Sequence, residues 1–429
     1  MAKVNRRDLL KAGAALAATG ALGGGAWAQE FYSRPPTLLP RTRKPRVVVI
    51  GGGWGGTTVA RKLVQAGVEA EVVLVEQRPI FMSCPMSNLY LAGVKPLEWM
   101  VFDYTNVVED GVVFVQERVL DIQRDRRLIR TTGGYLGYDF LVLAPGIDYM
   151  YEAIPGYAEA KHLLPVGFKP FEHIALRRML DRFDETGGEL VMYIPNPPYR
   201  CPPGPYERAA MLAWRIKSKG VKGKIIVLDA NPQPISKAAG FLAAFNELYK
   251  GVLEYVPNTR ITGIDYAKKQ VLTELGEVPF TLANIVPPMK AGELVRIAGL
   301  GERWANIRLP YFLSERDDRV YLLGDIVGNT PYPKSGMVAY VSGTIVARHL
   351  AERLKGKPLS EIPYELPTNI CYSFVASEEA IWVAHQHSWD EAAKRIVQQS
   401  NVDNQRSKAN GQAAYGWAEG IWNDMFGPA

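Results

Sequence analysis

The stretch Arg46–Thr58, RVVVIGGGWGGTT, decides the fold of the chain. It opens with a run of β-branched apolar residues, which predicts a buried strand. The motif GGGWGG, which satisfies G-x-G-x-x-G, follows at once, and a helix is predicted behind it from Thr57 to Gln65. A strand, a glycine loop and a helix in this order predict a dinucleotide-binding βαβ unit.

The three motif glycines have separate tasks in such a unit. Gly51 permits the tight turn, Gly53 lets backbone N–H groups approach a pyrophosphate, and Gly56 permits close packing of helix on strand. Glu76 ends the next strand, EVVLVE, 20 residues after Gly56, where a carboxylate accepts hydrogen bonds from a ribose. We therefore expect dinucleotide binding, with a glycine turn in some other α/β protein as the alternative.

Two later stretches favour FAD over NAD. RVYLLGDIVG (319–328) places Gly324 and Asp325 after a strand. This pair is similar to the second FAD contact of the two-dinucleotide-domain flavoprotein reductases, where the aspartate binds the ribityl chain or the pyrophosphate region. YDFLVLAPG (138–146) resembles their other fingerprint. The alternative for Asp325 is a helix cap near Ile326.

A second βαβ unit is predicted over 187–231, from GGELVMYI to KIIVLDA. Its loop, PNPPYRCPPGPYERA (195–209), has prolines where a second glycine motif would bind NAD(P)H. Proline has no N–H to offer a phosphate and fixes φ, so reduced nicotinamide is not expected to be the electron donor. A proline-framed Cys201 suits redox chemistry, and a structural disulfide or an inert thiol is the alternative.

The N-terminus has twin arginines, Arg6 and Arg7, then an apolar run and the small-x-small pattern Ala26–Ala28. This combination is typical of a twin-arginine export signal. The apolar run is shorter than the ~20 residues of a membrane span, so we expect a periplasmic protein; an uncleaved membrane anchor is the alternative.

Composition narrows the class of protein further. The chain has 429 residues with 47% hydrophobic and 22% charged residues and a net charge of +6, which suits two or three globular domains. No basic stripe with interleaved aromatics is present, so no nucleic-acid partner is expected. Five histidines without CxxC or HxxxH spacing predict no metal site, and an odd count of three cysteines needs explanation in an oxidising compartment.

We predict an α/β protein with two Rossmann-like dinucleotide-binding domains, in which the FAD domain is interrupted by a degenerate NAD-type domain, and a C-terminal α+β interface domain. The tail has four of the nine tryptophans, which either form part of a docking face or pack in the core. The predicted segments are the signal peptide 1–28, a linker 29–44, the FAD-binding domain 45–160 and 282–360, the degenerate NAD-like domain 161–281, and the C-terminal domain 361–429.

Three segments together resemble the flavoprotein subunit of flavocytochrome c sulfide dehydrogenase, which is related to the sulfide:quinone oxidoreductases. They are the proline loop at 195–209, SCPMSNLYLAG at 83–93 and NICYS at 369–373, and the resemblance runs from about Arg46 to the C-terminus. It implies oxidation of sulfide to zero-valent sulfur or polysulfide through a redox-active disulfide and FAD, with electrons passing to a c-type cytochrome subunit.

The resemblance also assigns site residues. Cys201 and Cys371 match the redox-active disulfide, Glu207 matches a carboxylate beside it, and Cys84 matches the cysteine that joins the flavin 8α-methyl group as a thioether. These assignments account for the odd number of cysteines. The alternatives are a purely structural bridge for the pair and a buried free thiol for Cys84.

The segment Lys334, Ser335 and Gly336 opens the predicted helix SGMVAYVSGTIVARHLAERL and matches a segment near the pyrimidine end of the flavin. A helix N-terminus there stabilises negative charge on the reduced ring. The chain has no CxxCH, so haem c is expected only on a partner subunit. Integral membrane association of the protein is not expected. The alternative functions are a sulfide:quinone oxidoreductase, an NADH-dependent disulfide or quinone reductase, and a flavin-binding electron-transfer or assembly protein without turnover.

Overall fold

The computed structural model describes residues 36–428, so the predicted signal peptide 1–28 and most of the linker lie outside the described residues. RVVVI forms the centre of a five-stranded sheet in which all neighbours are parallel. Its β-branched side chains are fully buried between layers, as the apolar run predicts. The strands, in spatial order, are Val320–Leu322, Phe140–Leu143, Arg46–Ile50, Glu71–Glu76 and Val113–Gln116.

The glycine-loop helix, Trp54–Gln65, begins three residues before the predicted Thr57, because Gly53 is its N-cap and Trp54 already belongs to the first turn. The helix starts flush against the strand it follows. A Cβ on Gly56 would lie 1.9 Å from the carbonyl oxygen of Gly51, so only glycine fits there.

The second sheet contains four parallel strands, and the predicted βαβ unit is present in it. Helix Gly204–Lys219, here called the cysteine helix, connects its two central strands. The chain enters this unit beside Ile147–Tyr149 and returns beside Met289–Ala291, which pair antiparallel. The strands, in spatial order, are Leu253–Val256, Gly223–Asp229, Gly188–Ile194 and Leu282–Ile285.

The C-terminal segment adds an antiparallel sheet of strands Asn369–Phe374, Ala380–Asp390 and Arg395–Ser407, then helix Lys408–Phe426. The indole of Trp422 is 2% exposed and meets Trp99 edge to face at 4.9 Å. Core packing therefore accounts for Trp422, and a docking role for the rest of the tail stays a prediction.

Each parallel sheet has its own hydrophobic core, and the C-terminal segment contributes to both, with Trp422 in the first and Ile381 in the second. Between residues 36 and 428, no helix combines the length and apolar character needed to cross a bilayer. The remaining strands are Ile80–Met82, Val101–Asp103, Val119–Gln123, Leu128–Thr131, Tyr135–Gly137, Ile261–Asp265, Gln270–Thr273 and Gly276–Pro279. The remaining α-helices are Ser87–Ala92, Thr105–Glu109, Tyr157–Ala160, Glu172–Thr186, Ala238–Leu248, Leu294–Ile297 and the long helix Gly336–Leu354.

Candidate active site

One open cavity lies where the two parallel sheets and the C-terminal segment meet. Every site residue predicted from the sequence lines it except Gly56, which packs beneath it against Gly51. The predicted residues in its lining are Gly51, Gly53, Glu76, Cys84, Cys201, Glu207, Gly324, Asp325, Lys334, Ser335, Gly336 and Cys371.

The glycine loop leaves room and donors for a phosphate at one end of the cavity. Gly51 has φ of +104°, and a Cβ there would lie 2.4 Å from the carbonyl oxygen of Ala144. A Cβ on Gly53 would meet nothing within 4 Å, so the backbone faces open space. No side chain caps the first turn of the glycine-loop helix, whose N–H groups are thus available to a bound anion.

Glu76 is fixed at the edge of this loop. Its Oε2 accepts a hydrogen bond from the Gly52 N–H at 2.8 Å, and its Oε1 accepts one from the Arg78 N–H at 3.0 Å. A carboxylate has about four acceptor positions, so it keeps capacity for the hydroxyls of a ribose. Its position therefore fits the role predicted for it.

Two tryptophans supply an independent test of whether FAD fits here. The indole N–H groups of Trp54 and Trp417 are buried and have no hydrogen-bond partner among the described residues. Both side chains line the cavity, and their rings stack with centroids 6.0 Å apart. Buried donors are rarely left unpaired, so the lining is suited to a group rich in acceptor atoms, as FAD is.

Asp325 joins the two dinucleotide units. Its Oδ2 accepts a hydrogen bond from Arg200 Nε at 2.6 Å, and Arg200 also donates to the carbonyl oxygen of Phe168 at 2.9 Å. Asp325 lies inside the short 3₁₀ turn Gly324–Ile326 and caps no helix, so the cap alternative is not observed. Arg200 also lines the cavity, and sequence reasoning missed it although it immediately precedes Cys201.

The segment from Lys334 to Gly336 begins the long helix as predicted, with Ser335 as the N-cap that accepts a hydrogen bond from the Val338 N–H. Lys334 Nζ donates to the carbonyl oxygens of Asp325 and Val327 at 2.7 and 2.9 Å. Burial lowers the pKa of Lys334 to about 8. This end of the cavity therefore presents a cation and a helix N-terminus, both of which favour negative charge.

The proline loop holds Cys201 in a constrained position. Cys201 has a left-handed backbone with φ of +57°, and its N–H donates to the carbonyl oxygen of Lys334 at 2.7 Å. A Cβ on Gly204 would lie 2.8 Å from the Cys201 Sγ, so the glycine that starts the cysteine helix provides clearance for the sulfur. The thiol thus lies beside a helix N-terminus, whose positive end opposes the increase in the Cys201 pKa that burial causes.

The three cysteines are free thiols in this structure and line one cavity. The Cys201–Cys371 disulfide is not formed in it, so the disulfide remains a prediction. Burial raises the pKa of Cys84 to about 11. Burial also raises the pKa of Cys201 and of Cys371, and the other two thiols and Glu207 raise that of Cys201 further.

Glu207 joins the three segments that carry the cysteines. Its Oε1 accepts a hydrogen bond from the N–H of Phe374, the last residue of the strand that carries Cys371, at 2.8 Å. Its Oε2 accepts one from Asn88 Nδ2 at 2.7 Å, in the helix that follows Cys84. Burial raises the pKa of Glu207, while these hydrogen bonds oppose the shift.

Lys237 is a buried cation near the cysteines that sequence reasoning missed. Its Nζ reaches the strand of Cys371, where it donates to the Cys371 carbonyl oxygen at 3.0 Å and to Ser373 Oγ at 2.8 Å. Lys237 is only 4% exposed. No motif marks it, because it lies in the loop NPQPISK and meets the cysteine only through the fold.

In the second unit, the acidic residue at the position expected to bind the ribose of NAD(P)H is buried. Asp229 ends the strand that corresponds to the one ending in Glu76, but it has no exposed surface. Its oxygens accept hydrogen bonds from the Asn231 N–H at 2.9 Å and from the Tyr255 hydroxyl at 2.7 Å. The carboxylate in the position that would bind a ribose is therefore already hydrogen-bonded within the protein. Like the prolines in the preceding loop, it is poorly suited to bind a nicotinamide dinucleotide.

Models of known protein families match most of the chain, each over a different segment. The family model "Sulfide dehydrogenase [flavocytochrome c] flavoprotein chain, central" matches residues 174–287, and "Flavocytochrome c sulphide dehydrogenase, flavin-binding" matches residues 364–426. A pyridine nucleotide-disulphide oxidoreductase model matches residues 45–176. A twin-arginine translocation signal model matches residues 3–23, which confirms the predicted export to the periplasm.

Individual relatives agree with these families. The mitochondrial sulfide:quinone oxidoreductase of Mus musculus is 23% identical over 332 residues, which cover 72% of this chain and 72% of that protein. The sulfide-quinone reductase of Aquifex aeolicus is 22% identical over 73% of this chain and 77% of its own length. The solved structure of the Aquifex aeolicus sulfide:quinone oxidoreductase superposes with a TM-score of 0.74 at 18% identity, covering 90% of this chain and 92% of that one, so the predicted fold class is confirmed.

Proposed function

Because the chain carries the central and flavin-binding domains of the flavocytochrome c sulfide dehydrogenase flavoprotein chain, and is a sulfide-oxidising flavoprotein oxidoreductase, we propose that it works through a Cys201–Cys371 disulfide, with a c-type cytochrome as the electron acceptor. The observation that carries the proposal is the shared cavity. Both cysteines and Glu207 line the same space as the FAD-type glycine loop, although they come from distant parts of the sequence.

The first step is thiol–disulfide exchange. Hydrosulfide attacks Cys201 Sγ, the Cys201–Cys371 bond breaks, and Cys371 leaves as a thiolate while Cys201 becomes a persulfide. A second hydrosulfide takes the outer sulfur and leaves Cys201 reduced. Re-formation of the disulfide releases two electrons, so two hydrosulfide ions give one disulfide ion, HSS⁻, one proton and two electrons; longer polysulfides follow by repetition.

Glu207 is proposed to accept the proton. Its carboxyl group lies in the cavity lining with both cysteines, and its raised pKa brings it nearer to neutrality, where a general base is most effective. The hydrogen bonds from Phe374 and Asn88 hold it in place. It could thus take the proton of the incoming hydrosulfide without moving.

FAD, held by the glycine loop, Glu76, Asp325 and the start of the long helix, would supply the acceptor for the electron pair and return the electrons singly to a haem. The haem belongs to a separate subunit, because the chain has no CxxCH. We also propose that Cys84 forms a thioether to the flavin. Its position in the same cavity supports this assignment.

The function is tested by anaerobic titration of the purified protein. Sulfide should bleach the flavin absorption bands and NADH should not, and the Cys201→Ser variant should retain flavin but lose bleaching by sulfide. Flavin reduction by sulfide at the wild-type rate in that variant would contradict the disulfide route. Steady-state assays with cytochrome c and with a short-chain quinone then identify the acceptor.

A quinone is the second candidate for the acceptor. It is favoured by the similarity to the sulfide:quinone oxidoreductases of Mus musculus and Aquifex aeolicus. Faster turnover with the quinone than with cytochrome c, and no small red subunit in the purified protein, would favour this alternative.

The thioether is tested separately. Acid-precipitated protein on a denaturing gel should show flavin fluorescence that migrates with the chain, and the Cys84→Ala variant should lose it while still binding FAD noncovalently. Flavin that dissociates from the denatured wild-type chain would remove the covalent bond from the proposal and leave FAD binding intact.

A further inference from the structure

Lys237 is placed to act on the cysteine pair through charge. It has a left-handed backbone with φ of +53° at the start of helix Ala238–Leu248. Its ammonium group donates hydrogen bonds to the Cys371 carbonyl oxygen and to Ser373 Oγ, and Lys237 is not among the residues that line the cavity. It therefore touches the protein around Cys371 and not the reacting sulfur compound.

The groups that face Lys237 are mostly acidic. Burial lowers the pKa of Lys237, and Cys371, Glu207 and Cys201 oppose that shift. His385, on the neighbouring strand, also feels its charge and has a pKa lowered to about 4, mainly by burial, so that ring is neutral near pH 7. Among these groups Lys237 is thus the cation that faces two thiols and one carboxyl.

The two sulfurs feel Lys237 unequally. At Cys371, Lys237 is the strongest influence that opposes burial and lowers the pKa. At Cys201, burial, the two other thiols and Glu207 raise the pKa and Lys237 lowers it, but the ammonium group is hydrogen-bonded to Cys371 itself and makes no hydrogen bond to the described residues of the proline loop. The buried charge therefore polarises the pair, with Cys371 as the better leaving group.

We propose that Lys237 is a positioning residue that stabilises the Cys371 thiolate and so directs hydrosulfide to Cys201. This role rests on the proposed function, because it presumes that the two cysteines exchange with a sulfur nucleophile. When the disulfide opens, the electron pair of the broken S–S bond stays on Cys371 Sγ. The fixed ammonium compensates that charge and itself neither gains nor loses a proton.

The experiment compares Lys237→Met, which keeps the length without the charge, and Lys237→Arg, which keeps the charge, in the flavin-loaded protein. The reduced protein is treated with methyl methanethiosulfonate across a pH series, and modification of Cys371 is followed by peptide mass. Loss of an opposite charge nearby raises a thiol pKa by about 1–3 units, so Lys237→Met should slow modification about 10- to 1000-fold at neutral pH. Lys237→Arg should restore most of the rate.

Lys217→Met is the matched control. Lys217 Nζ likewise donates to a backbone carbonyl, that of Leu248 at 3.1 Å, but on the exposed end of the cysteine helix. It removes the same charge far from the sulfurs and should leave the pH profile unchanged. A Cys371 profile in Lys237→Met that coincides with this control would overturn the proposal.

Two further measurements keep the outcome decisive. If Lys237→Met loses flavin, Ser373→Ala, which removes one of the two acceptors that hold the ammonium, should shift the Cys371 profile upward by a smaller amount; no shift there also overturns the proposal. If sulfide fails to bleach the wild-type flavin, the proposed function fails, while the thiol profiles still report on Lys237 by themselves.

Discussion

The buried environment of Glu207 predicts how the rate of flavin reduction by sulfide depends on pH. Burial raises its pKa, so the carboxylate, which we propose accepts the proton, is lost at a higher pH than for an exposed glutamate. The rate of flavin reduction by sulfide should therefore fall as the pH drops through the raised pKa. Glu207→Gln should lose this acidic limb and slow reduction by about 10²–10⁴-fold at neutral pH.

The measurement is stopped-flow reduction of the flavin by sulfide across the pH range. Ionisation of sulfide itself affects wild type and variant alike, and reduction by dithionite, which bypasses the cysteines, serves as the control. An acidic limb that survives unchanged in Glu207→Gln would assign it to another group.

At this scale the sequence predicts residues that belong to motifs. The proline loop, NICYS and the glycine loop gave the positions that line the cavity, because each is a local pattern around one side chain. Arg200 and Lys237 were not found. Their significance depends on partners distant in the chain, Asp325 and Cys371, and no local pattern encodes such a meeting.

Between elements, the glycine-loop helix lies close against the end of strand Arg46–Ile50. Gly56→Ala would place a Cβ 1.9 Å from a backbone oxygen, which the strand can relieve only by shifting. Overpacking of this kind costs about 1–3 kcal/mol or more, so the variant should unfold at a lower temperature and lose FAD.

Gly416→Ala is the control for this prediction. Gly416 lies inside helix Lys408–Phe426, and a Cβ there would meet nothing within 4 Å. Alanine should stabilise that helix by about 0.5–1 kcal/mol. Thermal unfolding followed by circular dichroism compares the two, and equal melting temperatures would show that the helix and strand relax without cost.

The buried strands and the helix of the first unit were predicted from their apolar patterns, but the residue at which the helix begins was not. The buried strands Arg46–Ile50 and Glu71–Glu76 agree with the apolar runs. The low helix propensity of glycine led to a predicted helix start at Thr57. The observed helix begins at Trp54, because tertiary packing overrides that preference. The C-terminal sheet was not foreseen strand by strand, since Ala380–Asp390 and Arg395–Ser407 are long, polar and half exposed.

For the whole molecule, Arg200 and Asp325 form the polar link between the two dinucleotide units. The ion pair is largely buried, with 19% and 10% of the side chains exposed. Removal of one partner of a buried pair leaves an uncompensated charge, so Arg200→Met should destabilise the protein by about 3–5 kcal/mol. Arg200→Met with Asp325→Asn should be less destabilised than the single variant.

Urea unfolding of the two single variants and the double variant measures this coupling. Strictly additive losses would show that the pair does not hold the units together. Flavin content, measured in the same samples, separates loss of the cofactor from loss of the fold.

The stacked pair Trp54 and Trp417 also has a consequence for the order in which the protein matures. Trp54 comes from the first strand–loop–helix unit, and Trp417 comes from helix Lys408–Phe426, more than 300 residues later. The cavity therefore cannot close until the helix Lys408–Phe426 has been synthesised. Because the twin-arginine route carries folded proteins, cofactor loading has to fall between synthesis of this helix and transport, and that interval is where a cell could reject an empty chain.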